Sequence, residues 1–116
     1  MKKAFIVGFI VVLAFSGCET NSERNPQVST VSQAKSLRDG TYVKITGTID
    51  SSLFGEWYTF SDSSGSISVE IDNELWVRNG INPTSLVFPA SFEIVGEVDK
   101  ERQQETVIEV ESLRKL

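Results

Sequence analysis

The stretch Tyr42-Val43-Lys44-Ile45-Thr46-Gly47-Thr48-Ile49-Asp50 decides how the rest of this chain is read. Val43, Ile45, Gly47 and Ile49 fall on one side of a two-residue period and Tyr42, Lys44, Thr46 and Thr48 on the other, the pattern of a half-buried strand. The stretch Phe92-Glu93-Ile94-Val95-Gly96-Glu97-Val98-Asp99 echoes it, including the central glycine and the closing aspartate. Glycine weakens a flat strand but suits a bulge or a sharp coil, where one strand serves two faces of a small barrel. Gly47 and Gly96 therefore mark expected bends.

Between these two strands, Tyr58 and Phe60 alternate with Trp57, Thr59 and Ser61. Asp62-Ser63-Ser64-Gly65 supplies turn chemistry, and Ile67, Val69 and Ile71 then alternate with Ser68, Glu70 and Asp72, so the second and third strands form a hairpin. Asp72 to Gly80 has an acidic cap, an apolar centre and Asn-Gly at its end, which predicts a short helix with Trp76 plugging the barrel end. Pro83 and Pro89 bracket a less regular connection. After the charged turn Lys100 to Glu105, Ile108 and Val110 mark a fifth strand. Upstream, Thr30 with Gln33 forms a capping-box pattern, Val31, Ala34 and Leu37 are helically spaced and Gly40 is a stop, predicting a helix at about 31 to 38. The reading is all-β: a five-stranded barrel with a short N-terminal helix and a second helix between the third and fourth strands.

The N-terminus reads differently. Lys2 and Lys3 precede an apolar run from Ala4 to Phe15, small residues and the chain's single cysteine. This is the layout of a secretory signal, and the run of about 12 residues falls short of the roughly 20 that a membrane-spanning helix needs. Leu13-Ala14-Phe15-Ser16-Gly17-Cys18 is similar to a lipobox, with Phe15 where Leu, Val or Ile is usual. The expectation is a lipoprotein leader over residues 1–17, with lipid on Cys18 as the link to the membrane. Residues 18–29 are polar and read as a flexible tether, and residues 30–116 form the domain. Glu19 follows the cysteine rather than the aspartate of inner-membrane retention, so the expected place is the periplasmic side of the envelope, outer membrane favoured.

Composition narrows the chemistry. Without the leader's two lysines the chain holds 9 basic and 16 acidic side chains, a net charge of −7. Nucleic-acid binding draws most of its affinity from cationic side chains, and this surface opposes it. The chain has no histidine. Imidazole metal sites and Ser-His or Cys-His nucleophiles are thereby excluded, and no cofactor and no metal site is expected. Glu70, Asp72 and Glu74 are close in sequence but lack the spacing of a calcium loop. Glu93, Glu97 and Asp99 read as solvated charges that also guard a sheet edge.

Five strands with a helix between the third and fourth describe an OB-fold barrel. The blocks Val31-Ser32-Gln33-Ala34, Asp39-Gly40-Thr41-Tyr42-Val43, Gly47-Thr48-Ile49, Tyr58-Thr59-Phe60-Ser61-Asp62, Gly65 to Asp72, Leu75-Trp76 and Gly96-Glu97-Val98-Asp99-Lys100 resemble the bacterial OB-fold family of the YgiW and YdeI type. The resemblance covers about 30 to 116. It implies a non-enzymatic periplasmic protein linked to stress tolerance, and it carries no catalytic residues. The usual member lacks a lipobox, and the segment from Val77 to Phe88 is longer than the usual connection.

OB-folds bind ligands across the outer face of their second and third strands. Here that face places Trp57, Thr59, Ser68, Glu70 and Asp72 as candidate ligand-binding residues. An aromatic face among hydroxyls and carboxylates suits a glycan, a cation or a small cationic ligand. The alternative reading is an interaction protein whose barrel docks on another envelope protein.

Overall fold

Buried and exposed side chains alternate along the strands as the sequence predicts, and the barrel closes because one long strand is shared. The computed structural model describes residues 25–101 and 105–116. The leader, Cys18, the first part of the tether and three residues of the Lys100 to Glu105 turn lie outside the described residues.

In chain order the elements are β1 (Gln27–Val28), α1 (Val31–Ala34), β2 (Tyr42–Phe54), β3 (Trp57–Asp62), β4 (Gly65–Glu70), α2 (Asn73–Arg78), a 3-10 turn (Pro83–Ser85), β5 (Ala90–Asp99) and β6 (Val107–Lys115). The five expected strands are β2 to β6. They run β2-β3-β4-β6-β5 around the barrel, and β5 closes back on β2. Strand β2 pairs with β5 over Tyr42 to Ile49 and with β3 over Thr48 to Phe54, so its two halves serve different neighbours. Val43, Ile45, Ile49, Phe60, Val69, Phe92, Ile94 and Ile108 point inward and are fully buried. Each contributes roughly 1.5–3 kcal/mol relative to exposure.

The two strand glycines sit where that sharing is tightest. A Cβ on Gly47 would run into the Ser61 carbonyl oxygen and the Phe60 ring, and one on Gly96 into the Glu109 carbonyl oxygen. At Gly96 the expected irregularity is present, since the β5–β6 register shifts between Val95 and Gly96. At Gly47 the pairing to β5 stays in register, and the shifts in β2 come later, after Ile49 and after Ser52.

Four expectations need correction. The sheet has six strands, because Gln27–Val28, inside the segment read as tether, pairs in parallel with Val43 and Lys44. The Ser29 amide extends this pairing to the Lys44 carbonyl at 3.0 Å. Helix α1 is shorter than 31–38: the chain leaves it so that Asp39-Gly40 can dock on the end of β5, where Gly40 N donates to Val98 O at 2.7 Å and Asp39 Oδ1 accepts from Lys100 N at 2.8 Å. Strand β4 ends at Glu70, so its alternation does not extend to Asp72, which instead caps α2 as the acidic start of that helix implied, its carboxylate accepting from Glu74 N. Finally, β5 lies between β2 and β6, so Glu93, Glu97 and Asp99 guard no sheet edge; Glu93 pairs with Arg114 at 3.3 Å.

Helix α2 plugs the barrel end with Leu75 and Trp76, both buried. It stops in a Schellman motif, with Gly80 N to Val77 O and Ile81 N to Trp76 O both 3.0 Å and Gly80 at φ +68°. Only glycine takes that conformation without strain.

A four-residue helix cannot hold itself, and α1 is held from outside. The Thr30 and Gln33 capping box forms as expected, and Asp62 adds to it from β3 by accepting from Val31 N at 2.9 Å. Burial works against the Asp62 charge. Hydrogen bonds from the Ser64 hydroxyl and from the Val31, Ser64 and Gly65 amides outweigh it and hold the carboxyl below the ordinary value of 3.8. A depressed carboxyl stabilises fully above its unfolded-state pKa and loses that contribution as pH falls through the folded-state value. Asp62→Asn is therefore expected to cost about 1–2 kcal/mol at neutral pH. In urea denaturation the gap from wild type should close as pH falls below 3.8; a gap that stays constant there would refute this role.

Candidate functional site

The outer face of β3 and β4 is built by cross-strand register. Trp57 lies opposite Glu70, Thr59 opposite Ser68 and Ser61 opposite Ser66. Their neighbours in sequence, Tyr58, Phe60, Ile67 and Val69, are buried, which turns these side chains outward. Trp57, Thr59, Ser68 and Glu70 thus share one face, and all four are half-buried rather than fully exposed. Asp72 lies beyond the strand end and reaches the same region from the start of α2.

On the other flank, β2 adds a polar group to this face. Asp50 accepts from Thr48 Oγ1 at 2.7 Å and from Ser61 Oγ at 2.5 Å, fixing both hydroxyls.

The hairpin joining β2 and β3 carries the feature that the sequence reading missed. Leu53 and Phe54 are 48% and 69% exposed, and Phe54 is in register with Trp57. Together with Val107 and Ser68 they form a shallow cup of about 100 Å³, with Glu105 at its rim. Two adjacent apolar residues inside the polar stretch Ser51-Ser52-Leu53-Phe54-Gly55-Glu56 were the available signal.

A groove of about 300 Å³ lies nearby, lined by Glu56, Glu70, Asp72, Glu109, Val110 and Glu111. Glu70 lines the groove and lies opposite Trp57, which lines the cup, so the two features adjoin there. The groove exists because β4 and β6 run in parallel, with Val69 beside Ile108 and Glu70 beside Glu109. Like charges placed side by side across strands oppose folding. No local pattern in the sequence announces this pairing, since Glu70 and Glu109 are brought together by barrel closure. The groove's carboxylates are spread along it; among the described residues no three acidic side chains converge closely enough to hold a metal ion. The arrangement is suited to an extended organic cation.

Comparisons with known proteins agree with this architecture. The model of the Bacterial OB fold (BOF) protein family matches residues 16–115. Protein YgiW of Escherichia coli K12 is 41% identical over 92 residues, covering 79% of this chain and 66% of its own length, just under two thirds. The Calcium-regulated OB-fold protein CarO of Pseudomonas aeruginosa is 32% identical over 95 residues, covering 82% of this chain and 78% of its own. The solved structure of YgiW from E. coli superposes with a TM-score of 0.67 at 42% identity, over 78% of this chain and 90% of that one. With its five-stranded barrel and interposed helix, the chain belongs to the bacterial OB fold family.

Proposed function

We propose that this protein is a non-enzymatic binding module of the bacterial envelope whose β3–β4 face takes a small cationic ligand. The observation that carries the reading is Trp57 in register with Glu70, at the junction of an apolar cup and a carboxylate-lined groove. A cation is attracted by the face of an indole and by carboxylates at once, while the apolar cup receives its hydrocarbon part. The absence of histidine from the sequence leaves little beyond carboxylate chemistry for catalysis.

The location follows from the lipobox-like sequence, with lipid on Cys18 and an outer-membrane destination, and the stress-tolerance role from the family resemblance. An unmodified Cys18 thiol in the intact mass of envelope-extracted protein would overturn the anchor.

The binding reading is tested by titrating spermidine while following tryptophan emission. The expected result is a saturable change that weakens with added salt and disappears in Trp57→Phe, which leaves the buried Trp76 as internal reference. Glu70→Gln should weaken binding roughly two- to fivefold, the range of one exposed ion pair. No saturable change, or one indifferent to salt, would overturn the reading. Exposure of Leu53 and Phe54 favours a second reading, docking on another envelope protein. That reading gains if spermidine is silent and an envelope protein is retained by wild type but not by Phe54→Ala.

A further inference from the structure

The face that carries Trp57 and Glu70 continues around the barrel beyond the groove. Followed from strand to strand, Trp57 lies opposite Glu70, Glu70 beside Glu109, Glu109 opposite Glu97 and Glu97 opposite Tyr42. Their sequence neighbours Tyr58, Val69, Ile108, Val98 and Val43 are all buried, which turns the five side chains outward on one row. Glu109 is exposed, and Trp57, Glu70, Glu97 and Tyr42 are half-buried. Three carboxylates in consecutive register positions are thus bounded by an aromatic ring at each end.

The surroundings of this row differ from it. Two residues along the strands in one direction, the next row reads Thr59, Ser68, Val107 and Asp99. In the other direction Lys44 faces Val95, and beyond them Glu93 lies between Thr46 and Arg114 and pairs with the arginine at 3.3 Å. A cleft of about 350 Å³ between the β2–β3 hairpin and the segment linking α2 to β5 has no carboxylate in its lining and lies outside the row. Like charges in direct register oppose folding, and natural sequences keep such conflicts chiefly at functional sites.

Geometry selects the ligand. Neighbouring strands lie ~4.8 Å apart, so the four steps from Trp57 to Tyr42 span about 19 Å. Amines separated by three methylenes stand roughly 5 Å apart, given bond lengths near ~1.5 Å. Successive amines therefore meet successive carboxylates. An extended lysine peptide repeats its same-face charges only every second residue, about 6.6 Å, and drifts out of register. Strands of a closed barrel tilt against its axis, so the row climbs as it turns, a path that a flexible aliphatic chain follows and a rigid ligand does not.

We infer that the row is a track for a linear aliphatic polyamine with three or more amines. The chain lies across the strands, its amines on Glu70, Glu109 and Glu97 and its ends against the rings of Trp57 and Tyr42. The inference rests on the cation reading of the Trp57 face and extends it by two residues, Glu97 and Tyr42, that lie outside the groove lining.

The test is calorimetric titration of the intact protein with putrescine, spermidine and spermine, which carry two, three and four amines, and with trilysine amide, which matches spermine in charge. Each added amine should tighten binding roughly two- to fivefold, the range of one exposed ion pair. Glu97→Gln and Tyr42→Leu should each weaken spermine binding by a similar factor and leave putrescine, held at the Trp57 and Glu70 end, as in wild type. Glu93→Gln, which removes a carboxylate off the row, should change neither. The track is overturned, with the cation reading left standing, if putrescine and spermine bind alike, if Glu97→Gln binds spermine as wild type does, or if trilysine amide binds more tightly than spermine. Binding of none of these amines would overturn both.

Discussion

Replacing Gly96 by alanine is expected to destabilise the domain by about 2–3 kcal/mol, and valine there to prevent folding. The new Cβ would meet the Glu109 carbonyl oxygen and come within 2.9 Å of Val110 Cα and 3.0 Å of the Glu109 carbonyl carbon. All three are backbone atoms of β6 and cannot rotate away, so β5 and β6 must separate where their register already shifts. An opposing effect exists, since alanine restricts the unfolded chain and thereby gains about 0.4–1 kcal/mol. The collision is larger and decides the sign. Gly47→Ala should follow the same course against the Ser61 carbonyl oxygen, although the Phe60 ring edge nearby at 3.0 Å has some room to yield. Urea midpoints provide the measurement. A Gly96→Ala change smaller than about 0.5 kcal/mol, the usual scatter of neutral surface substitutions, would refute the close approach.

Trp76→Ala is expected to cost about 3–5 kcal/mol, which places a small domain near its unfolding threshold. Trp76 is fully buried beneath α2, with its ring edge-on to Tyr58 at 5.6 Å and to Phe92 at 5.7 Å. Truncation removes both contacts and opens the barrel end. The Trp76 Nε1 hydrogen, however, has no partner among the described residues. Burying it unpaired costs about 1–3 kcal/mol, so Trp76→Phe, which removes the polar atom and keeps an aromatic ring, should lose far less than the alanine variant. Far-UV circular dichroism is the suitable probe, because the substitution alters fluorescence by itself. Equal losses in the two variants would show that volume alone sets the requirement.

Much of the site was legible because it rests on alternation. Once Tyr58, Phe60, Ile67 and Val69 are assigned inward, Trp57, Thr59, Ser68 and Glu70 must face outward together. Asp72 was given two places by its spacing, as a continuation of the β4 alternation and as the acidic cap of α2, and the structure keeps the second, because a cap is decided by where the next element starts. Leu53 and Phe54 were passed over because they lie at the end of β2, beyond the register shift after Ile49, where the two-residue period breaks down.

The sequence by itself determined the strands, the helix carrying Trp76, the irregularity at Gly96 and the family, because each follows from neighbours a few residues apart. The tertiary structure alone decided that Gln27–Val28 adds a sixth strand, that Glu70 lies beside Glu109, and that the α2–β5 connection folds over Tyr58 to form a cleft. These features depend on which distant segments pair and in what register. Barrel closure fixes that choice, and a two-residue period carries no record of which strand lies alongside.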